Sequence, residues 1–184
     1  MVVGNGMIGT RFAPYAQEDN FLVFASGVSN SNCSLAAPFK REFDLLQKNV
    51  LDNPAKTIVY FSTCSILDED QKSIAYVRHK LEMENWIKAH ARSYIIFRIS
   101  NPIGKTENLH TFFNFFIEMI KKQKDFEVWR FAARNILDID DMYLICDYIL
   151  QNKLFLNQLV NVANITNYSV LDIIEAIETH YQLK

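Results

Sequence analysis

The sequence has 184 residues and a mass of 21.4 kDa, and 49% of its residues are hydrophobic while 22% are charged. This composition can bury a sizeable core and excludes a disordered chain. The formal net charge is −2, so the chain has no basic excess to neutralise a phosphate backbone, and nucleic acid is not expected as a partner.

Three other classes of protein are also not expected. The longest apolar runs, at residues 95–97 and 112–117, fall far short of the roughly 20 residues that span a bilayer. The first residues lack the basic and then apolar segments of a signal peptide. The three cysteines form no CxxC pair and the four histidines show no HxxxH or HExxH spacing. We therefore expect a cytoplasmic protein with no membrane span and no metal site.

Short β-rich runs alternate with longer amphipathic ones along the chain. Residues 57–61 are β-branched or aromatic, as in a central strand, and Phe39, Phe43 and Leu46 recur at helical spacing. In chain order the predicted elements are a strand at 1–3, a helix at 8–19, a strand at 21–25, a helix at 38–51, a strand at 57–61, a helix at 73–90, a strand at 94–99, a helix at 110–122, a candidate strand at 126–129, a helix at 139–151, a strand at 159–162 and a helix at 170–181 capped by Ser169.

This alternation predicts βαβ units, a parallel sheet with helices on its faces and right-handed crossovers. In such sheets ligands bind beyond the carboxyl ends of the strands. The segments that follow the predicted strands are small and polar, as a ligand crevice requires; they are residues 4–9, 26–29, 62–65 and 100–104.

The first of these segments carries the spacing G-x-G-x-x-G between a predicted strand and a predicted helix. Gly4 permits the tight turn, Gly6 lets the backbone approach a pyrophosphate, and Gly9 allows the helix to pack closely. Three of the five glycines in the chain lie here. The segment therefore predicts a nucleotide-binding turn, although a plain glycine turn would have the same spacing.

A second motif lies on the predicted helix at 73–90, where Tyr76 and Lys80 are four residues apart and share one face. A free phenol has a pKa of about 10 and is a poor base at neutral pH, but a nearby cation favours the phenolate. This spacing also occurs on ordinary solvated helix faces. Its meaning depends on the hydroxyl-rich segment of residues 62–65, where a hydroxyl beside the tyrosine would bind a substrate oxygen or simply close a Ser/Thr turn.

Taken in order, six segments resemble the extended short-chain dehydrogenase/reductase family, the NAD-dependent epimerases and dehydratases that act on sugar nucleotides. The segments are VVGNGMIGTRF, FASGVSNS, IVYFSTCSIL, YVRHKLEMENWI, FRISNPIGKTEN and FAARNILDIDDM. The resemblance covers most of the chain. It implies a reduced Rossmann-like α/β fold with a small C-terminal appendage, as one domain over residues 1–184 in which residues from about 105 form the substrate-side part.

The resemblance also implies residue roles. Tyr76 would be the acid/base, Lys80 would bind the nicotinamide ribose and lower the pKa of Tyr76, and Thr63 would hydrogen-bond the reacting oxygen. The implied cofactor is NAD or NADP, held by Gly4, Gly6, Met7, Ile8, Gly9, Ala25, Ser26, Gly27, Ser62, Tyr76, Lys80, Asn101, Pro102 and Ile103. The implied substrate-binding residues are Ser65, which could also replace Thr63, together with Asn101 and Arg134. For Arg134 a surface salt bridge with Asp138 or Asp140 is the alternative.

Several positions depart from the family pattern. The first predicted helix leads directly to FASGVSNS, so two strand–helix units are missing, and no acid lies between Asp19 and Glu42 to hold the adenosine ribose. We therefore expect weak cofactor binding, mainly through the nicotinamide half. Cys64 and Ser65 stand where dehydratases carry an Asp-Glu pair.

The expected function is accordingly an NAD(P)-dependent oxidoreductase or epimerase of a sugar or sugar nucleotide. A catalytically silent binding or partner subunit with the same fold is the alternative. The resemblance further implies a homodimer in which the helices at 38–51 and 73–90 pair across a two-fold axis. Phe43, Leu81 and Trp86 are the apolar residues available for that contact.

Overall fold

The central sheet of the protein consists of five parallel strands, as a computed structural model of residues 1–106, 108 and 111–182 shows. The strands stand in the order β1, β2, β3, β4, β8 and are β1 Val2–Val3, β2 Phe21–Phe24, β3 Thr57–Thr63, β4 Tyr94–Ile99 and β8 Gln158–Val162. Because β1 pairs directly with β2 and no described strand lies beyond it, β1 is an edge strand. The predicted α/β fold with a parallel sheet is confirmed.

Within the described residues, six α-helices connect or flank the strands: α1 Met7–Arg11, α2 Ala36–Asp52, α3 Ala75–His90, α4 Phe112–Lys121, α5 Ile139–Gln151 and α6 Val170–Tyr181. Two small strand pairs complete the fold. β5 Asn101–Ile103 runs parallel to β7 Ile136–Asp138, and β6 Ala133–Arg134 runs antiparallel to β9 Tyr168–Ser169. None of the helices in the described part of the chain is long and apolar enough to cross a bilayer.

The sheet carries a separate core layer on each face because side chains alternate along its strands. Val59 and Phe61 of β3 face α1 and α5, in a cluster that includes Phe12, Phe97, Met142 and Cys146. Ile58 and Tyr60 face α2 and α3, in a cluster that includes Leu22, Leu46, Met83 and Ile87. A third cluster joins α4 to α6 through Phe116, Ile120, Ile173 and Ile177.

Two predicted elements are wrong, and a third is only partly described. The helix expected at 8–19 ends at Arg11 and is followed by a 3₁₀ helix, Ala13–Gln17, because Pro14 has no N–H and disfavours α geometry in the residue before it. Residues 126–129 form no strand; the ring of Phe126 packs 5.5 Å from that of Phe116 in the α4–α6 cluster instead. His110, the first residue of the helix predicted at 110–122, lies outside the described residues.

Candidate active site

The loops that follow β1 and β2 contact each other at the carboxyl edge of the sheet. Gly4 has φ +121°, and a Cβ there would lie 2.5 Å from the carbonyl carbon of Ala25, so only glycine fits against this loop. A Cβ on Gly9 would lie 2.4 Å from the carbonyl oxygen of Gly4. A Cβ on Gly6, in contrast, would meet no atom within 4 Å. Gly4 and Gly9 are thus required by packing, whereas Gly6 borders open space.

The first two turns of α3 bring Tyr76 and Lys80 to the same edge. The Lys80 Nζ lies 5.8 Å from the centroid of the Tyr76 ring, and a Cβ on Gly27 would stand 2.7 Å from that Nζ. Within the described residues, the Tyr76 hydroxyl has no hydrogen-bond partner. The structure therefore gathers the glycine turn, the loop after β2 and the Tyr76–Lys80 pair in one place, with a phenol oxygen that is free to meet a ligand.

Thr63 ends β3 and forms the Ser/Thr turn that the sequence left open as an alternative. Its Oγ1 accepts a hydrogen bond from the Ser65 backbone N–H at 3.1 Å and donates one to the Ser65 hydroxyl, also at 3.1 Å. The Thr63 hydrogen is thus engaged within the chain. A substrate oxygen would have to take the place of the Ser65 hydroxyl to receive it.

Lys80 is 3% exposed, and acceptors surround its ammonium. It donates to Glu42 Oε1 at 2.8 Å, to the Tyr60 hydroxyl at 3.0 Å and to the Phe61 carbonyl at 3.5 Å. All three ammonium hydrogens therefore have a protein acceptor. A ribose hydroxyl that contacts Lys80 therefore has to displace one of these acceptors, and the long hydrogen bond to the Phe61 carbonyl is the weakest.

Glu42 is the site residue that the sequence analysis missed. It is 0% exposed, and besides Lys80 it accepts hydrogen bonds from the Tyr60 hydroxyl at 2.9 Å and from the Val28 backbone N–H at 2.7 Å. The Nε2 of His79 lies 3.1 Å from Oε2, off the line of a hydrogen bond. A signal was present in the sequence, because Glu42 lies three residues after Phe39, among the apolar positions of α2.

These contacts set the charges of the site. Burial alone would raise the pKa of Glu42, but Lys80 and the contacts with His79 and Val28 lower it well below its ordinary value. The pKa of Lys80 is raised, since Tyr60, Glu42 and Tyr76 outweigh the effect of burial. Burial raises the pKa of Tyr76; Lys80 acts to lower it and Glu42 opposes that effect. Lys80 thus acts on the pKa of Tyr76 in the expected direction, but burial and Glu42 together raise that pKa by more.

Two buried hydroxyl oxygens lie at the ends of β3 and β4. The Oγ atoms of Ser62 and Ser100 have no hydrogen-bond partner within the described residues, and Ser62 is 6% exposed. By strand alternation Ser62 shares a sheet face with Tyr60. Buried unpaired hydroxyls are costly and uncommon, so two at the carboxyl edge point to a place where a ligand completes the bonding. Ser62 was predicted from the resemblance, and Ser100 was not.

The remaining predicted cofactor residues lie around this edge. Met7 and Ile8 begin α1 and pack on the core, and the Met7 sulfur would be 3.2 Å from a Cβ on Gly104. The loop residues Ala25, Ser26 and Gly27 follow β2, and Asn101, Pro102 and Ile103 form β5.

The predicted substrate residues are only partly assembled. The Asn101 side-chain amide donates to the Asn135 carbonyl at 2.8 Å. Arg134 lies on the exposed strand β6 and donates to the Ala133 carbonyl. The suggested salt bridge of Arg134 with Asp138 or Asp140 is wrong. Asp140 pairs with Arg11 at 2.5 Å, and Asp138 caps α5 through the Asp140 N–H.

A comparison with models of protein families identifies the family to which this chain is similar. The model of the NAD dependent epimerase/dehydratase family matches residues 46–163, a segment that contains Thr63, Tyr76 and Lys80 but not the glycine turn. No curated protein matches the sequence.

Solved structures share the fold. RMD from Pseudomonas aeruginosa complexed with NADPH superposes with a TM-score of 0.69 at 17% identity, over 90% of this chain and 68% of that one. UDP-glucose 4-epimerase from Thermotoga maritima with UDP-glucose superposes with a TM-score of 0.71 at 14% identity, over 87% of this chain and 60% of that one. The dTDP-glucose 4,6-dehydratase from Bacillus anthracis in complex with NAD superposes with a TM-score of 0.66 at 14% identity, over 90% of this chain and 58% of that one. The chain thus spans about three fifths to two thirds of the length of these structures. Since the family model matches more than half of the chain, the chain belongs to the NAD dependent epimerase/dehydratase family.

Proposed function

We propose that the chain is an NAD(P)-dependent oxidoreductase or epimerase that acts on a sugar or a sugar nucleotide, with Tyr76 as its acid/base. The proposal is carried by the Tyr76–Lys80 pair, which lies against the loop that follows β2 and beside the glycine turn, with Thr63 at the carboxyl end of β3. Family membership and three solved structures complexed with NADPH, UDP-glucose or NAD support it.

The residues at this edge suit a dinucleotide in two respects. The space above Gly6 is open to an approaching group, and the unpartnered hydroxyls of Ser62 and Ser100 offer hydrogen bonds. The adenosine side is less complete, because β1 is an edge strand and no acid follows the glycine turn at the expected distance. We therefore expect the cofactor to bind weakly and mainly through its nicotinamide half.

The proposed roles follow from these positions. When bound, the nicotinamide supplies or takes up a hydride. Tyr76 moves the accompanying proton between its phenol oxygen and the substrate oxygen. Thr63 orients that oxygen after exchanging its bond to Ser65. Arg134, which is exposed and without an ion pair in the described part of the chain, binds a substrate phosphate.

Cofactor binding tests the proposal most directly. Gly6→Val places a branched side chain in the open space above the turn, where the protein itself imposes no clash. NADH fluorescence titration should show weaker binding than for the wild type. Ala16→Val, an exposed site on the 3₁₀ helix that follows α1, introduces the same side chain away from the turn and serves as the control. Equal affinity in all three proteins would reject the glycine-turn assignment.

One observation favours the alternative of a catalytically silent binding or partner subunit. The Lys80 ammonium is already saturated by protein acceptors. A screen of sugar nucleotides separates the two functions, with NAD(P)H oxidation as the readout for an oxidoreductase and chromatography of the products as the readout for an epimerase, which consumes no net cofactor. Turnover of any sugar nucleotide supports the enzyme, whereas saturable NADH binding without turnover across the panel favours the silent subunit.

We further propose that residues 1–184 form one domain, in which residues from about 105 make the substrate-side part around the α4–α6 cluster. Two copies pair through α2 and α3. In support, Leu81 is 39% exposed on α3, and the half-buried rings of Phe43 and Trp86 meet edge-on at 6.0 Å. We place the protein in the cytoplasm, where its three free cysteines stay reduced.

A further inference from the structure

A single carboxylate joins three parts of the candidate site. Glu42 lies on α2, yet its oxygens contact Lys80 of α3, Tyr60 of β3 and the Val28 backbone N–H in the loop after β2. Its side chain is fully enclosed, and the Lys80 side chain is 4% exposed. One acid therefore fixes both the lysine beside Tyr76 and the loop that borders the glycine turn.

Stability alone does not account for this arrangement. Two charges removed from water lose hydration that their mutual attraction repays only in part, and apolar residues of similar size often stabilise a fold as well. The surrounding layer of Leu46, Met83 and Ile87 shows that this face of the sheet is otherwise apolar. A buried ion pair at the edge of an apolar layer, directly beside Tyr76, therefore indicates a role in the site.

We propose that Glu42 is a positioning residue, which holds the Lys80 ammonium in a closed ion pair and so presents Tyr76 with a neutral pair rather than a free cation. The inference rests on the proposed function, in which Tyr76 moves the proton. In the described part of the chain, the charged and titratable groups around Tyr76 and Lys80 are Glu42 on α2 and Tyr60 on β3, and His79 on α3 contacts Glu42 in turn.

The closed ion pair affects whether the Tyr76 phenol carries its proton when the reaction begins. A phenol beside a free ammonium loses its proton more readily, whereas a compensated ammonium lacks most of that effect. In agreement, burial and Glu42 raise the pKa of Tyr76. Tyr76 therefore keeps its proton near neutral pH. It donates that proton to a carbonyl oxygen, and it accepts a hydroxyl proton only after losing its own, so hydroxyl oxidation should need a higher pH than carbonyl reduction.

The test is a spectrophotometric titration of the Tyr76 phenol, isolated by subtracting the matching Tyr76→Phe protein. Glu42→Gln removes the compensating charge, so the pKa of Tyr76 should fall by about 1 or more. Asp44→Asn is the control, because Asp44 lies on the same helix but is exposed and paired with Lys40. An unchanged or higher pKa in Glu42→Gln would overturn the inference. The titration needs neither cofactor nor substrate, so this failure is distinct from an absence of NADH binding, which would reject the proposed function.

A second variant shows whether Lys80 transmits the effect and guards against loss of the fold. Glu42→Gln/Lys80→Met removes both buried charges, which is better tolerated than removal of one. Compared with Lys80→Met alone, the double variant should lower the pKa of Tyr76 by less than Glu42→Gln does in the Lys80-containing protein, because it removes only the direct charge of Glu42 and releases no ammonium. If Glu42→Gln lowers the pKa of Tyr76 as much in the Lys80→Met background as in the Lys80-containing protein, the positioning role is overturned.

Reductive methylation of the wild type gives a third result that depends on no variant. Lys80 should stay unmodified while Lys40, 74% exposed on α2, reacts fully. Methylation of Lys80 at the rate of Lys40 would overturn the closed ion pair.

Discussion

Arg98 and Glu84 form a bidentate ion pair that ties the end of β4 to the middle of α3. The Arg98 Nε lies 2.8 Å from Oε1 of Glu84, and one of its terminal nitrogens lies 2.6 Å from Oε2. Glu84 is 0% exposed, and its hydrogen bonds raise the pKa of Arg98. Glu84 lies one helical turn beyond Lys80, so two buried acids each neutralise a cation on the same face of the sheet.

Arg98→Met should destabilise the protein strongly, because among the described residues it leaves the buried Glu84 carboxylate with only Lys88, at 3.9 Å, to compensate it. Breaking a buried pair in this way typically costs about 3–5 kcal/mol of unfolding free energy. Lys40→Met, which removes one partner of the exposed pair with Asp44, is the control and should change stability by less than about 0.5 kcal/mol. Urea unfolding measures both. Equal losses would show that the buried pair contributes no more than a surface pair.

Gly4 and Gly6 should respond differently to alanine. Gly4→Ala forces a side chain into a left-handed backbone position and against the Ala25 carbonyl, so we expect a loss of about 1–3 kcal/mol or more. Gly6→Ala meets open space and should leave thermal unfolding nearly unchanged. If both variants unfold at the wild-type temperature, the close packing of the turn is not required for the fold.

The sequence predicted the parts of the fold that depend on local pattern. The apolar residues 57–61 became the core of β3, and Ser169 caps α6 by accepting from the Asp172 N–H at 3.0 Å. Prediction failed where a local feature opposed the pattern, as at Pro14, or where an apolar run packs onto the preceding helix instead of joining a sheet, as Phe126 does against Phe116.

The candidate site was predictable only in its spacing motifs. Tyr76 and Lys80 are four residues apart, so their shared helix face could be read directly. Glu42 precedes Lys80 by 38 residues, and its partners Tyr60 and Val28 come from other elements. Its place among the apolar positions of α2 indicates that it is buried, but the local sequence does not identify its partners, because these depend on how α2 packs against α3.

The Glu42–Lys80 pair predicts a specific dependence of stability on acid. The pKa of Glu42 in the folded protein lies below its ordinary value of 4.5. Its stabilisation is therefore complete above that value and is lost as the pH falls towards the folded pKa. Lys80, whose pKa is raised, stays charged throughout this window. We expect the stability difference between wild type and Glu42→Gln to shrink between about pH 7 and about pH 3 in urea unfolding. A difference that stays constant over this range would contradict the ion pair.

The proposed dimer predicts a clear change in mass. Leu81→Glu puts a charge on the exposed face of α3 and should convert a dimer to a monomer in light scattering. Leu171→Glu introduces the same charge at a 47% exposed leucine of α6, away from α2 and α3, and should leave the dimer intact. A wild type that is already monomeric at micromolar concentration would reject the dimer.

The proposed chemistry depends on Tyr76. Tyr76→Phe keeps the ring and removes the hydroxyl, which has no hydrogen-bond partner within the described residues and is therefore not needed for folding. Turnover of a sugar nucleotide should fall about 10²–10⁴-fold, the usual contribution of general acid/base catalysis, while NADH affinity stays close to that of the wild type. Tyr148→Phe, at a 64% exposed tyrosine of α5, is the control and should change neither quantity. Thr63→Val should lower the rate with little effect on NADH binding, whereas Lys80→Met should impair both. Turnover that survives Tyr76→Phe would mean that another group moves the proton, because phenylalanine at that position has none to give.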